Sequence, residues 1–239
     1  MNISEVIKII NNFNVNVIFD DLINVKEKIL GGQSIFYFTP IEGKEKRKYE
    51  RMSDKSKFIS SSSTIHIVDL DISNLFELFE CDVTGIHEYT KNVIKPYCDM
   101  GVSEEIVYVI FLFLHEVGHY NQFENMGRKV EEFINKDLAL YEENFKKVEE
   151  LQSRRRERIY KGSDCSLTYK ERSELEKYMK EYREISKEKE ADDFALKNIE
   201  NVLSEYKNKI SIWFKSWSNS SSFLYTRSWA YLYRVWKES

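Results

Sequence analysis

Nine consecutive apolar residues, Ile106 to Leu114, run without interruption into His115. A segment apolar on every side predicts a helix buried in the core rather than one lying on the surface. Ser103 followed by Glu104 and Glu105 gives it an N-terminal start, and Gly127 a stop, so the helix is expected over 103–126. Upstream, residues 3–12 read as a short helix and Val15 to Phe19 as an apolar strand. Ile35 to Phe38 follows the Gly31-Gly32 break and predicts a second strand. Thr64 to Leu70 alternates and is rich in β-branched residues, the strongest strand signal in the chain. The basic and then Ser-rich stretch from Gly43 to Ser63 reads as an exposed loop, and residues 84–98 as a helix leading to the apolar one.

Beyond 127 the pattern changes to charged segments with narrow apolar stripes. Ile134, Leu138, Tyr141, Phe145, Val148 and Leu151 recur at spacings of three and four, an amphipathic helix within 128–160. Lys161 to Ser166 is a turn signal. Thr168 with Glu171 three residues on is a capping box opening a helix striped by Leu175, Tyr178, Tyr182 and Ile185. Two such helices joined by a short loop form an antiparallel hairpin, residues 128–185, that elaborates one domain spanning 1–239. The arm is either structural or a dock for a partner or substrate. The C-terminal segment from Ile210 to Trp236 is dense in aromatics, with a Ser/Asn run at 218–222 between two expected helices. Core packing is the ordinary use of such density, and a partner surface the other. The expected fold class is α+β, predominantly helical: a small N-terminal sheet, an active-site helix and a charged helical hairpin.

Composition narrows this further. Only 2 Pro and 8 Gly among 239 residues favour long helices over a turn-rich β architecture. A net charge of −4 with balanced signs makes nucleic acid an unlikely partner and gives no attraction to an anionic membrane. No apolar run approaches the ~18 residues of a membrane span, and the N-terminus lacks a signal-peptide pattern. Cys81, Cys98 and Cys165 are widely spaced without a CxxC, which reads as reduced thiols. A cytoplasmic protein is expected.

The chemistry sits at the end of the apolar helix. His115-Glu116-Val117-Gly118-His119 places two imidazoles four residues apart, on one helix face, with a carboxylate between them. That is the H-E-x-x-H spacing in which two His hold zinc and the Glu serves as general base. Two buried imidazoles and a buried carboxylate are costly without partners, and a metal ion supplies one. A hydrolytic zinc site takes three protein ligands and leaves a position open. Glu188 and Glu190 are the downstream carboxylates to consider. Helical phase favours Glu188, because the inward stripe of Ile185, Ala191, Ala195, Ile199 and Val202 includes it and excludes Glu190. Asp192, one turn on, is placed to accept the free ring N–H of a ligand His.

His115-Glu116-x-x-His119 followed by Glu188-x-x-Ala191-Asp192 resembles the gluzincin group of metallopeptidases. The Phe194-Ala195 pair extends the likeness to the ImmA/IrrE-type peptidases, soluble cytoplasmic enzymes that act on repressor-type regulators. The resemblance covers about 103–126 and 185–200 and implies a zincin-like fold. It also implies Zn2+ on His115, His119 and Glu188, with Glu116 as catalytic base and Asp192 standing where that family often has Asn. Sixty-nine positions separate His119 from Glu188, a longer gap than expected for that family, and the charged hairpin fills it. The implied activity is endopeptidase cleavage of a protein or peptide substrate. The alternative is a non-catalytic zinc-binding interaction module that works through the arm or the aromatic tail. His66, His87, Tyr120 and the C-terminal tyrosines remain open as donors to the oxyanion. Strand 64–70 is a candidate to bind an extended substrate as an added strand.

Overall fold

The structure is a computed structural model and describes residues 1–20, 35–40, 47–50, 57–60, 63–76, 85–162 and 167–218. Helix α1 (Ile3–Ile10) opens on a box in which the Asn2 backbone N–H donates to Glu5 Oε2 at 2.8 Å. Its apolar positions Ile3, Val6, Ile7 and Ile10 are all buried. Strands β1 (Asn16–Asp20), β2 (Phe36–Thr39) and β5 (Thr64–Val68) form a mixed sheet in the order β1-β5-β2. β1 runs parallel to β5 and β2 antiparallel to it. All five residues of β5 are buried, as befits a central strand covered on both faces.

Two expectations about this half are corrected. β5 cannot accept a substrate strand, because β1 and β2 occupy both of its edges. The 43–63 stretch is also not all loop. β3 (Arg47–Glu50) pairs antiparallel with β4 (Lys57–Ser60), with Tyr49 opposite Phe58 in the register. Cross-strand pairing stabilises such a ribbon, and a basic, Ser-rich composition does not report it.

Helix α2 (Ile86–Ile94) continues as a 3-10 turn over Lys95–Met100. Helix α3 (Glu104–Asn125) follows, with Ile106 to Leu114 buried throughout, as the apolar run demanded. Gly127, at φ +69°, takes the left-handed conformation just past its end. Ser103 holds the cap position through its carbonyl, which accepts from the Ile106 and Val107 N–H groups; its hydroxyl makes no cap bond.

The arm is helix α4 (Val130–Asn135), α5 (Leu138–Tyr160) and α6 (Tyr169–Arg183). The Thr168–Glu171 capping box forms as expected. The apolar stripe of 134–151 is buried only in part: Val148 and Leu151 are enclosed, whereas Ile134, Leu138 and Phe145 are exposed. α5 and α6 run antiparallel, in contact from Tyr141–Tyr182 at one end to Arg158–Glu171 at the other. A turn at 184–185 then separates α6 from α7 (Ser186–Ser218), where one continuous stripe had been expected. No Gly or Pro marks that break. Asp137, itself at φ +64°, accepts from the Lys187 N–H at 3.1 Å and so serves an otherwise free donor at the start of α7.

α7 buries Ala191, Ala195, Ile199, Val202, Leu203 and Tyr206 against the core, which α1, α3 and the sheet complete. α3 and α7 pack closely at Gly118. A Cβ there would lie 2.8 Å from the Ala191 Cα. Among the described residues no helix is long and apolar enough to cross a membrane. Cys98 is a free thiol directed at the Ile94 carbonyl. Cys81, Cys165 and the aromatic segment beyond 218 lie outside the described residues.

Candidate metal centre

The Gly118–Ala191 contact draws the last turns of α3 against the first turns of α7. His115 and His119 thereby face Glu188 from one side, all three buried, with their donor atoms within 4.8 Å of one another. His115 Nε2 is 3.3 Å from Glu188 Oε2, and His119 Nε2 is 3.5 Å from Glu188 Oε1. A tetrahedral ion bonded at ~2.0–2.1 Å holds its donors ~3.3–3.4 Å apart. The three side chains are therefore spaced to hold a metal ion. Glu190 is not part of this group. Its side chain is 52% exposed and pairs with Lys136 at 3.0 Å, whereas Glu188 is 5% exposed.

The outer ring nitrogens are also fixed. His115 Nδ1 donates to Asp192 Oδ1 at 2.8 Å, the role foreseen for Asp192. His119 Nδ1 donates to Gln122 Oε1 at 3.1 Å, and Gln122 Nε2 in turn donates to the Lys187 carbonyl at 2.7 Å. Both Nε2 atoms are thus turned toward Glu188. Gln122 had not been foreseen, although its position three residues after His119, on the same helix face, is a signal that could have been used.

Two further contributions come from the arm. Arg183, 5% exposed, donates from Nη1 to Asp192 Oδ1 at 3.1 Å and lies 3.8 Å from Glu188 Oε2. Its guanidinium stacks over the Tyr89 and Tyr182 rings. Tyr141 donates to Glu188 Oε1 at 2.7 Å, and Tyr182 lies against the same carboxylate. None of these three stands out in the sequence, because each sits on a charged helix where a Tyr or Arg is unremarkable.

Burial acts to lower the His115 pKa, but its hydrogen bonds to Asp192 and Glu188 outweigh that and raise it to about 9. Burial would lift the Glu188 carboxyl, yet the two imidazoles hold it well below the usual carboxylate range. Burial and the Glu188 charge push both Tyr141 and Tyr182 well up, so their hydroxyls keep their protons. Glu116 is buried, and its charge adds to the rise at both His115 and Tyr182.

The charge balance fits a dication. Glu116, Glu188 and Asp192 are three buried carboxylates facing one buried guanidinium, Arg183. When a metal replaces the His115 proton the imidazoles are neutral, and the two negative charges left in the pocket are those a divalent cation would balance.

The other donor candidates have different partners. His66 stacks on Tyr37, His87 packs against Phe76 and Tyr108, and Tyr120 packs against Phe38. Comparison with protein-family models, with curated proteins and with solved structures gave no match to this chain.

Proposed function

We propose that this chain is a zinc-dependent endopeptidase of the gluzincin type, with His115, His119 and Glu188 as ligands and Glu116 as general base. The observation that carries this reading is the coincidence of a buried three-donor cluster with a carboxylate, Glu116, that a purely structural site has no use for. Zinc held by His115, His119 and Glu188 would supply Lewis acidity, making water a better nucleophile near neutral pH and polarising the scissile carbonyl. Glu116 takes the water's proton and returns it to the leaving amine. Tyr141, held protonated, donates its O–H to Glu188 and so helps to orient that ligand. Asp192 and Gln122 keep both imidazoles in the tautomer that presents Nε2.

The substrate class would be a protein or peptide, and a regulatory protein is the narrower reading. A non-catalytic metal-binding interaction module is the second reading, favoured by how little of the three donors is exposed.

The test is metal per chain by mass spectrometry, paired with hydrolysis of a peptide mixture. Wild type and Glu190→Ala should carry about one zinc, and Glu188→Ala much less. Glu116→Gln should keep the zinc and lose hydrolysis. Zinc retained by Glu188→Ala would overturn the ligand set. Hydrolysis by Glu116→Gln equal to wild type would overturn the mechanism, and bound zinc with no hydrolysis by wild type would favour the module.

A further inference from the structure

The three donors and Glu116 lie too deep for a peptide to reach them. His115 and Glu188 are 5% exposed, and Glu116 and His119 8%. A hydrolytic metal needs its open position and its general base in contact with the scissile bond, so an element over the centre must move. α3 and α7 are held in place by the meeting of their backbones at Gly118 and Ala191. The helices α5 and α6 cover the centre without such a contact. Tyr141 of α5 donates to Glu188 at 2.7 Å. Tyr182 of α6 is close enough to Glu188 and Glu116 for both charges to act on its phenol. Arg183, at the end of α6, donates to Asp192 at 3.1 Å.

The way these two helices join the rest of the chain lets them move together. The chain enters α5 at Lys136-Asp137 and leaves α6 at 184–185, and the two junctions are neighbours. Asp137 accepts from the Lys187 N–H at 3.1 Å, and Lys136 pairs with Glu190 at 3.0 Å. Asp137 has a left-handed backbone, φ +64°, and 184–185 is a turn between helices. Residues at the ends of elements are those that absorb the backbone change of a hinge. Beyond the junctions, Leu175 and Met179 of α6 rest on Gly85 at the start of α2. A Cβ added at Gly85 would lie 3.0 Å from Leu175 Cγ and 3.1 Å from Met179 Cγ.

We propose that α5 and α6 form a lid over the metal centre, closed in this structure, which swings as one body about the paired junctions to admit a peptide. Tyr141 and Arg183 are its latch, and Leu175 and Met179 on Gly85 are its seat. What enters rests on the endopeptidase reading, whereas the closure rests on the metal centre alone.

The experiment locks the seat with Gly85→Cys combined with Leu175→Cys. A thiol sulfur at 175 would stand where Leu175 Cγ does, within disulfide reach of a side chain at 85. The zinc-loaded full chain is compared oxidised and reduced, with the new bond confirmed by peptide mass. Any strain at Gly85, φ +78°, is then common to both states. Two rates are read: transfer of zinc to a chromogenic chelator, and hydrolysis of a peptide mixture. Both should fall about tenfold or more on oxidation and return on reduction. Met179→Ala weakens the seat without touching the centre and should speed zinc transfer by about 5–30-fold. Zinc transfer that neither oxidation nor Met179→Ala alters overturns the lid and leaves the endopeptidase reading standing. Zinc transfer slowed by oxidation, in a chain whose reduced form cleaves no peptide, upholds the lid and overturns the endopeptidase reading.

Discussion

The crossing of α3 and α7 and the hairpin of α5 and α6 are both helix pairs, and both place side chains on Glu188, but different forces hold them. At the crossing, a glycine and an alanine let two backbones meet, and apolar residues fill the flanks on both sides. On the hairpin, Lys147 bridges Glu143 and Glu181 in the open, and Phe145 and Leu140 remain exposed. Close packing leaves one arrangement and resists distortion; exposed ion pairs add little to stability. The difference assigns rigidity to the donors and adaptability to the surface above them.

The link between the two regions is Arg183, and removing it should produce the largest effect. Arg183→Met removes the buried guanidinium shared by Asp192 and Glu188 and leaves the His115 imidazolium as their remaining cation, at an expected cost of about 3–5 kcal/mol. Chemical denaturation of the metal-free protein measures this. A loss below about 1 kcal/mol would mean that water reaches Asp192 and that the arm is not fastened through this residue. Next comes the proton held by the metal-free site. His115, raised from 6.5 to about 9, stabilises the folded chain fully below pH 6.5 and loses that contribution as pH rises through about 9. Zinc takes the proton's place on the imidazole. The Tm gap between zinc-loaded and chelator-treated protein should therefore widen from pH 6.5 upward to pH 9. A constant gap across that window would separate His115 from the metal.

Smaller, but decisive for the crossing, is Gly118→Ala. The added Cβ would sit 2.8 Å from the Ala191 Cα, so the helices must part. Overpacking of this kind costs about 1–3 kcal/mol, and it should weaken zinc binding as well, since Glu188 lies one turn from Ala191. Unchanged zinc affinity in a destabilised Gly118→Ala would show that the donors do not depend on the crossing.

How much of this could be read from the chain follows the same division. The α3 helix, its stop at Gly127, the choice of Glu188 over Glu190 and the Asp192–His115 contact were all legible. Each rests on periodicity within one buried helix, where the inward face is uniformly apolar and a lone carboxylate stands out. The arm was legible only as helices. Its stripe of Ile134, Leu138 and Phe145 suggested burial that does not occur, because an apolar stripe reports a preference and not the presence of a partner. The break at 184–185 carries no turn residue, and Tyr141, Tyr182 and Arg183 reach the site only through the hairpin's tertiary placement. The pairing of β3 with β4 was hidden for the same reason, since register is a relation between two segments.

The smallest effect expected is the one that most sharpens the contrast between the two regions. Lys147→Met removes a cation that reaches Glu143 at 2.9 Å and Glu181 at 3.0 Å, one on its own helix and one on α6. All three groups are open to solvent, so water and salt should replace the lost pairing almost fully. Global stability should stay unchanged within the error of a denaturation curve, and so should zinc content. Hydrogen exchange along α5 and α6 should quicken modestly while exchange along α3 stays as slow as before. A cooperative loss of protection in α3 as well would mean that arm and crossing unfold as one unit. The distinction between a rigid pair that carries the three donors and an adaptable arm would then have to be abandoned.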